Sequence, residues 1–214
     1  MNDILNALFV IVLILNLFAL GSSRIHSVIK IIAAQGILLG LFPLLVHPVI
    51  TLPEIVSSLS AVSLKGFIIP AMMIKAMRDV KIKKEVEPLL GLLLSTILGA
   101  LVTGAAFLVF ANTAPSANNG VSLLIPTSIS TIIAGFIMLT TRVKALSQVL
   151  GYLLLENGIY IFSMLLLDAI PLVVETGMLL DLFVSIFIIS IITNHINQAF
   201  SSLDTRKLAV LREE

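Results

Sequence analysis

Three charged residues lie deep inside apolar stretches of the chain, and all three are of types that can hold and release protons. Lys65, Glu156 and Asp181 each lie near the middle of a run long enough to cross a bilayer. A charge at that depth is unfavourable by about 2.5–3.5 kcal/mol on insertion scales. Such residues face a protein interior or a wet cavity, and they usually mark an ion or proton pathway. One cation and two anions at mid-depth therefore indicate charge movement across a membrane.

Polar residues accompany each of the three charges. One helical stripe with a spacing of four residues comprises Gln148, Tyr152, Glu156 and Tyr160, with Asn157 and Ser163 beside it. On the next predicted helix Ser185 follows Asp181 by four residues, and Ser58 shares a helix face with Lys65. Four polar-capable residues in register are expected to meet another helix or a hydrated channel rather than lipid.

Two interpretations of the charges remain open. A tight turn joins the helices of Glu156 and Asp181, so these helices are predicted to be antiparallel neighbours whose acids can couple their protonation. Lys65, at similar depth, would modulate them. Alternatively the charges pair and lock helices together, because buried ion pairs are often structural.

A second polar region lies in the outer half of the predicted fifth helix. Its residues are Ser122, Thr127, Ser128, Ser130 and Thr131. They could line a hydrated half-channel, or they could join helices through hydrogen bonds, as Ser and Thr commonly do in membranes.

The composition places the chain in the membrane class. Of its 214 residues 58% are hydrophobic and 12% charged, and the mean hydropathy is +1.14, whereas a soluble domain is about 25% charged. The chain has no Cys, which excludes iron–sulfur clusters and cysteine-bound nickel or zinc within it. The histidines form no ligand pair on one helix, and no nucleophile–base set or phosphate loop is present. The chain is therefore not predicted to perform bond chemistry on its own.

The apolar runs predict an all-α integral membrane protein with about seven transmembrane helices. The runs are about 4–21, 29–46, 55–76, 88–110, 121–140, 145–167 and 171–194. Each approaches the roughly 20 residues that a spanning helix needs. The second run is followed closely by Pro43, Pro48 and Pro53, so it could be short or re-entrant. We expect the first run to be a retained helix rather than a cleaved signal peptide, because it has no basic start.

The basic residues predict the orientation. With seven spans, twelve of the thirteen Lys and Arg residues fall on one side of the membrane, and the thirteenth is Lys65. The positive-inside rule then places the N-terminus outside and the C-terminus in the cytoplasm of a plasma-membrane protein. A mixed-charge linker divides a three-helix part, 1–87, from a four-helix part, 88–194, and a cytoplasmic tail covers 195–214.

The sequence resembles the membrane component E family of hydrogenase-4, of the group 4 membrane-bound [NiFe] hydrogenases and formate hydrogenlyase-type complexes. The resemblance lies in Gln148-Val-Leu-Gly-Tyr-Leu-Leu-Leu-Glu-Asn-Gly158, in Asp181 and in Ser202-Leu-Asp204. The stretch from Leu64-Lys65 to Met77 also looks like this family.

The region 121–194 is also similar to the K-type subunit of respiratory complex I. In both, a basic residue, here Arg142, precedes a helix with Gly, an acid and Asn, and a helix with a central acid follows. The K-type pattern has its first acid directly after a Gly-Leu pair, whereas here Gly151-Tyr152 precedes Glu156 by a turn. The resemblance implies that Glu156 and Asp181 belong to a hydrophilic axis that carries protons.

Together these resemblances imply a non-catalytic membrane-arm subunit of an ion-translocating hydrogenase or complex I-like assembly. They imply no cofactor in this subunit, with the NiFe centre and iron–sulfur clusters in partner subunits. The expected partners are NiFe-hydrogenase, antiporter-like and other membrane subunits, and lipid, but no nucleic acid. Two alternatives are a purely structural membrane adaptor of such a complex and an independent secondary transporter.

Overall fold

A computed structural model of the chain gives the positions of four stretches. It describes residues 2–46, 52–79, 89–110 and 123–164. The predicted seventh helix, 171–194, and the tail, 195–214, lie outside these described residues. The same is true of Asp181 and Ser185, so the predictions made for them stay predictions.

The described residues form helices joined by short links and include no strand. In chain order the elements are α1 Asn2–Gly21, α2 Ile25–Gly40, α3 Phe42–Val46, α4 Leu52–Ala61, a π-helical segment Val62–Ile68, α5 Ile69–Asp79, α6 Leu92–Phe110, α7 Leu124–Thr141 and α8 Ala145–Ser163. The flanking residues Ala61 and Ile69 keep right-handed helical backbone angles. As a result α4, the π segment and α5 form one uninterrupted rod.

Six of these helical stretches are long and apolar enough to cross a membrane. They are Ile4–Gly21, Ile25–Leu45, Ile55–Arg78, Leu92–Phe110, Leu124–Thr141 and Ala145–Ser163. Each overlaps one of the first six predicted runs, which confirms the all-helical prediction for the described part of the chain. Helices are expected here because an apolar environment requires every backbone polar group to bond within its own segment. The second run, α2 with α3, is long enough to span.

Some helix ends differ from the predicted ones. The helix α2 begins at Ile25 rather than at residue 29, because Arg24 has extended backbone angles (φ −110°, ψ 121°) and the helix starts directly after it. Lys30 consequently lies inside α2, on an exposed position. Hydropathy counts apolar residues and does not detect such backbone turns.

The antiparallel pair α7–α8 has the most extensive helix contact among the described elements. Three glycines bring the two backbones close together. A Cβ on Gly151 would lie 2.6 Å from the backbone nitrogen of Leu139, and one on Gly158 would lie 2.6 Å from that of Ile132. Gly135 faces the backbone of Leu155 in the same way. Small residues permit this close approach, which gives membrane helices their packing contacts.

A second close contact joins α2 to the π segment. Gly36 and Gly40 are one turn apart on α2, and a Cβ on Gly36 would lie 2.7 Å from Cβ of Lys65. A Cβ on Gly40 would lie 2.8 Å from Val62 Cγ2. The position of the Lys65 backbone is therefore set by contact with a glycine face.

The main apolar core lies between five helices. Residues of α1, α2, α5, α7 and α8 form one buried cluster that includes Leu20, Ile29, Met73, Met138 and Leu154. The helix α6 lies against α1 and α7 at the edge of this core. Its outer face is apolar and exposed, which is expected of a helix that meets lipid or another subunit.

We predict opposite effects of one substitution at two glycines. Gly151→Ala should lower the free energy of unfolding by about 1–3 kcal/mol, because its Cβ overlaps the α7 backbone, which cannot rotate away. Gly104→Ala on α6 is the matched control, since no atom of another described helix lies within 4 Å of its Cβ position. It should leave stability unchanged or raise it by up to about 1 kcal/mol through helix propensity. Thermal unfolding in detergent, followed by circular dichroism, measures both, and equal effects would contradict the α7–α8 contact.

Candidate functional site

Lys65 and Glu156 form a buried ion pair between the π segment and α8. Lys65 Nζ lies 2.6 Å from Glu156 Oε1, and it donates a hydrogen bond to that oxygen. The side chains are 11% and 4% exposed. The two residues are 91 positions apart in sequence, so no local pattern could have predicted their contact. Two of the three predicted charges are thus direct partners, and Asp181 lies outside the described residues.

The widened helical turn presents Lys65 to α8. The backbone N–H of Ile69 donates to the carbonyl of Leu64, five residues back, instead of to Lys65. Pro70 follows and has no N–H, so it cannot donate to the carbonyl of Gly66 as an α-helix would require. Wide turns of this kind inside α-helices are frequent at functional sites.

Tyr160 lies one turn after Glu156 and contacts the same lysine. Lys65 Nζ is 5.3 Å from the centre of the Tyr160 ring, which is within cation–π range. The ammonium therefore interacts with both a carboxylate and an aromatic face of α8. Glu156 and Tyr160 thus contact the same ammonium from one face of α8.

The other stripe residues have different surroundings. Tyr152 is half-buried and packs against the main apolar core. Gln148 is exposed, and its Nε2 donates to the backbone carbonyl of Arg142 at 3.1 Å, which ties the start of α8 to the preceding link. Ser163 donates to the carbonyl of Tyr160 at 2.6 Å, a bond within its own helix.

A chain of buried amides, which the sequence analysis did not identify as a unit, crosses four helices. Asn157 on α8 donates to Gln35 on α2 at 3.5 Å, and Gln35 donates to Asn16 on α1 at 2.7 Å. Asn16 then donates to Thr131 Oγ1 on α7 at 2.8 Å. All four side chains are at most 2% exposed. We call Asn157, Gln35, Asn16 and Thr131 the amide chain.

Only part of the amide chain was foreseen. Asn157 was predicted as a supporting residue, and Thr131 was one of the polar residues of the fifth run. Asn16 and Gln35 were missed, although each is an amide in the interior of an apolar run. That signal could have found them, because a buried side-chain amide in a membrane helix needs a partner on another helix. For Thr131, whose predicted role was either to line a half-channel or to join helices, the structure shows a hydrogen bond that joins α7 to α1.

A small cavity lies between the ion pair and the amide chain. Its polar walls are Lys65, Glu156 and Asn157, and its other walls are apolar side chains of α2, α5 and α8. The space open to the centre of a water-sized sphere is about 10 Å³, roughly the minimum for one water molecule. Glu156 Oε2 is buried and has no hydrogen-bond partner among the residues that the structure describes. The carboxylate thus has one oxygen on Lys65 and one that is unsatisfied.

Arg142 is buried where the link between α7 and α8 meets the end of α1. It is 1% exposed, and its Nη2 donates to the carbonyl of Leu20 at 2.7 Å. That carbonyl belongs to the last turn of α1, where carbonyls have no partner inside the helix. Removal from water lowers the pKa of Arg142 below its ordinary value, but an arginine remains charged at neutral pH.

Metal ligation has no support in the described part of the chain. Its residues include no group of three or more His, Asp or Glu side chains arranged to hold a metal ion. The sequence also has no Cys to bind a cluster. The titratable groups at the described site are one lysine, one carboxylate and one phenol, which can take up and release protons, and the amide chain beside them is not titratable.

Comparison with known proteins gives distant relatives. The chain is 27% identical over 194 residues to an uncharacterized protein of Mycobacterium tuberculosis, covering 88% of this chain and 87% of that protein. It is 26% identical over 156 residues to hydrogenase-4 component E of Escherichia coli K12, covering 72% of each chain, and the same values hold for the Shigella flexneri protein. No protein-family profile and no solved structure matches the chain significantly. The resemblance to component E is therefore supported at the level of distant similarity.

We predict that removing one partner of the ion pair destabilises the protein much more than replacing both partners. Lys65→Met should lower the free energy of unfolding by about 3 kcal/mol or more, because it leaves the Glu156 carboxylate buried without its cation. The double variant Lys65→Met with Glu156→Leu should recover most of this loss, since two apolar side chains replace two charges. Lys75→Met is the matched control, because Lys75 is an exposed lysine on α5. Thermal unfolding in detergent gives all values, and a double variant no more stable than Lys65→Met contradicts the prediction.

Proposed function

We propose that this chain is a membrane subunit of a multisubunit hydrogenase-type complex, and that its Lys65–Glu156 pair belongs to a proton pathway or coupling axis of that complex. The observation that carries the proposal is the buried ion pair with an unsatisfied carboxylate oxygen next to a cavity. The distant similarity to hydrogenase-4 component E supports the kind of complex. The six apolar helices support a multi-pass membrane protein.

The ion pair has the chemistry of a proton-coupled switch. Glu156 can take a proton, which neutralises the carboxylate that the Lys65 ammonium contacts. Charge at this depth is unfavourable, so the protonation of one group changes the preference of the other. A group elsewhere in the membrane arm that attracts or repels Lys65 would therefore alter the proton affinity of Glu156. This reciprocity is what coupling of a distant reaction to proton movement requires.

Further features extend the proposal beyond the described residues. Asp181 and Ser185 are proposed to continue the axis on a seventh helix, in the manner of the K-type subunit of complex I that the region 121–194 resembles. The distribution of Lys and Arg favours an outside N-terminus and a cytoplasmic C-terminus in the plasma membrane. The NiFe centre, the iron–sulfur clusters and antiporter-like subunits would belong to partner proteins.

A structural adaptor is the competing function. The glycine contacts of α7–α8 and of α2 with the π segment are the observations that favour it, because they fix helix positions tightly. In that case the ion pair would serve only to hold α8 against the π segment. Neutralising Glu156 would then reduce assembly of the complex and leave the efficiency of pumping by the assembled complex unchanged.

We predict that Glu156→Gln uncouples the complex in its native host. Ion pumping by membrane vesicles should fall by roughly a hundredfold, the lower end of what a positioned proton-transfer group contributes. Hydrogenase activity with an artificial electron acceptor should be retained, because the redox centres lie elsewhere. Ser163→Ala is the control, since its hydroxyl donates to the Tyr160 carbonyl within α8.

Blue-native gels of the same membranes separate the two functions. A complex of normal size and amount with lost pumping supports the pathway. Normal pumping in Glu156→Gln overturns it, and a lost complex with normal pumping per remaining complex favours the adaptor.

We predict that the full chain co-purifies with redox subunits. Affinity purification through a C-terminal tag in mild detergent, followed by mass spectrometry, should recover NiFe-hydrogenase, iron–sulfur and antiporter-like subunits. A chain that purifies alone, and that drives solute uptake when reconstituted in liposomes, would contradict membership of such a complex.

A further inference from the structure

The direction of every hydrogen bond in the amide chain is fixed by backbone carbonyls. Gln35 Nε2 contacts Asn16 Oδ1 and also the backbone carbonyl of Val12 at 3.2 Å. A carbonyl can only accept, so the group of Gln35 on this side must be its NH₂. At the other end Thr131 Oγ1 donates to the carbonyl of Thr127 at 2.7 Å, so it is left to accept from the NH₂ of Asn16.

The same direction of donation holds at Asn157, which is the residue of the amide chain next to Glu156. Since the NH₂ of Gln35 faces α1, its Oε1 faces α8 and can only accept. Asn157 therefore presents its NH₂ to Gln35, in the longest bond of the chain at 3.5 Å. The carbonyl oxygen of Asn157, Oδ1, lies on the opposite edge of the planar amide and takes no part in the chain.

Two acceptors thus belong to residues that line one small cavity. Glu156 Oε2 is an acceptor when ionised and has no hydrogen-bond partner within the described stretches, and Asn157 contributes Oδ1. An occupant must therefore donate two hydrogen bonds, and the space of about 10 Å³ accommodates one water molecule. A metal cation would be repelled by Lys65, which lines the same cavity, because like charges repel strongly in a medium of low dielectric constant.

We propose that this cavity binds one water molecule, which donates one hydrogen bond to Glu156 Oε2 and one to Asn157 Oδ1. Gln35 is then a positioning residue, because it holds the Asn157 amide in the orientation that presents Oδ1. Buried waters typically bind polar groups that would otherwise have no hydrogen-bond partner.

The consequence for proton transfer rests on the proposed function, whereas the water site itself does not. When a proton arrives on this water, Glu156 Oε2 accepts it. One O–H bond of the hydronium breaks, the carboxyl O–H bond forms, and neutral water remains. The amide chain would carry no proton, since amides are not protonated at neutral pH, and it acts by orientation alone.

Water-edited solid-state NMR of the full chain in liposomes tests the site. With ¹³C-labelled glutamate, the Glu156 carboxyl signal is identified by its absence in Glu156→Gln. In the wild type, magnetisation should pass from water to this carbon as it does to the solvated glutamates. Asn157→Leu removes the second acceptor and should abolish the transfer to Glu156 alone. Gln35→Met should weaken it, although Gln35 does not line the cavity.

Two controls separate positioning from a general loss of structure. Asn6→Leu removes an amide of α1 outside the chain and should leave the transfer unchanged. Gln35→Asn shortens the side chain that contacts Asn157 and should weaken the transfer, and thermal unfolding of the same variant shows whether the fold is retained.

Either of two results overturns the proposal. Absence of transfer to Glu156 in the wild type means that the cavity is dry, and unchanged transfer in Asn157→Leu means that Asn157 does not hold the water. The experiment needs no partner subunit and no pumping. A bound water with normal pumping in Glu156→Gln would therefore overturn the proposed function and leave the water site standing.

Discussion

The arrangement of the described helices depends on the burial of one ion pair. Lys65 and Glu156 are removed from water between the π segment and α8, and each charge alone would be strongly unfavourable there. Their attraction offsets this penalty only if the two groups meet in good geometry. Every element that sets the distance between the π segment and α8 therefore acts on the pair, and a small shift of one helix would leave a buried charge without its partner.

Close backbone contacts provide the required rigidity. Gly36 fits against Lys65 itself, and Gly151 and Gly158 fit against the backbone of α7. Since lipid gives little hydrophobic drive for helices to associate, such contacts and interhelical hydrogen bonds hold membrane helices together. The π turn adds a second constraint, because it moves the Ile69 N–H away from the Lys65 carbonyl. The position of Lys65 is thus determined by two features of the backbone, the contact with Gly36 and the wide turn before Ile69.

The amide chain has a different physical character from the ion pair. It joins α1, α2, α7 and α8 through neutral groups, which are far less unfavourable to bury than charges. It ends at the cavity that Glu156 also lines. Because its groups are neutral and the directions of its hydrogen bonds are fixed, the amide chain can orient a neighbouring side chain without adding a charge that would attract or repel it. The site therefore combines a titratable pair with a non-titratable support, and the two can be perturbed separately.

The chemical types and depths of the functional groups could be predicted from the sequence, but their contacts could not. The apolar runs determine the first six helices, because a bilayer leaves a long apolar segment no other way to satisfy its backbone. Lys65 and Glu156 were recognisable because charge is rare at mid-depth. Gln148 was placed with Glu156 by its spacing, yet it is exposed and bonds to the Arg142 carbonyl instead, because spacing does not specify where a neighbouring helix ends.

What only the tertiary structure decided is which groups meet. Lys65 reaches Glu156 across 91 positions, and Asn16 and Gln35 meet through the rotation of α1 against α2. Neither rotation nor relative depth is encoded in hydropathy, since any rotation that buries the polar face satisfies the same pattern. The sequence by itself determined that buried charges and amides must find partners. The glycine contacts of α2 with the π segment and of α7 with α8 fix the positions from which Lys65 and Glu156 meet, because only small residues allow the backbones to approach closely enough.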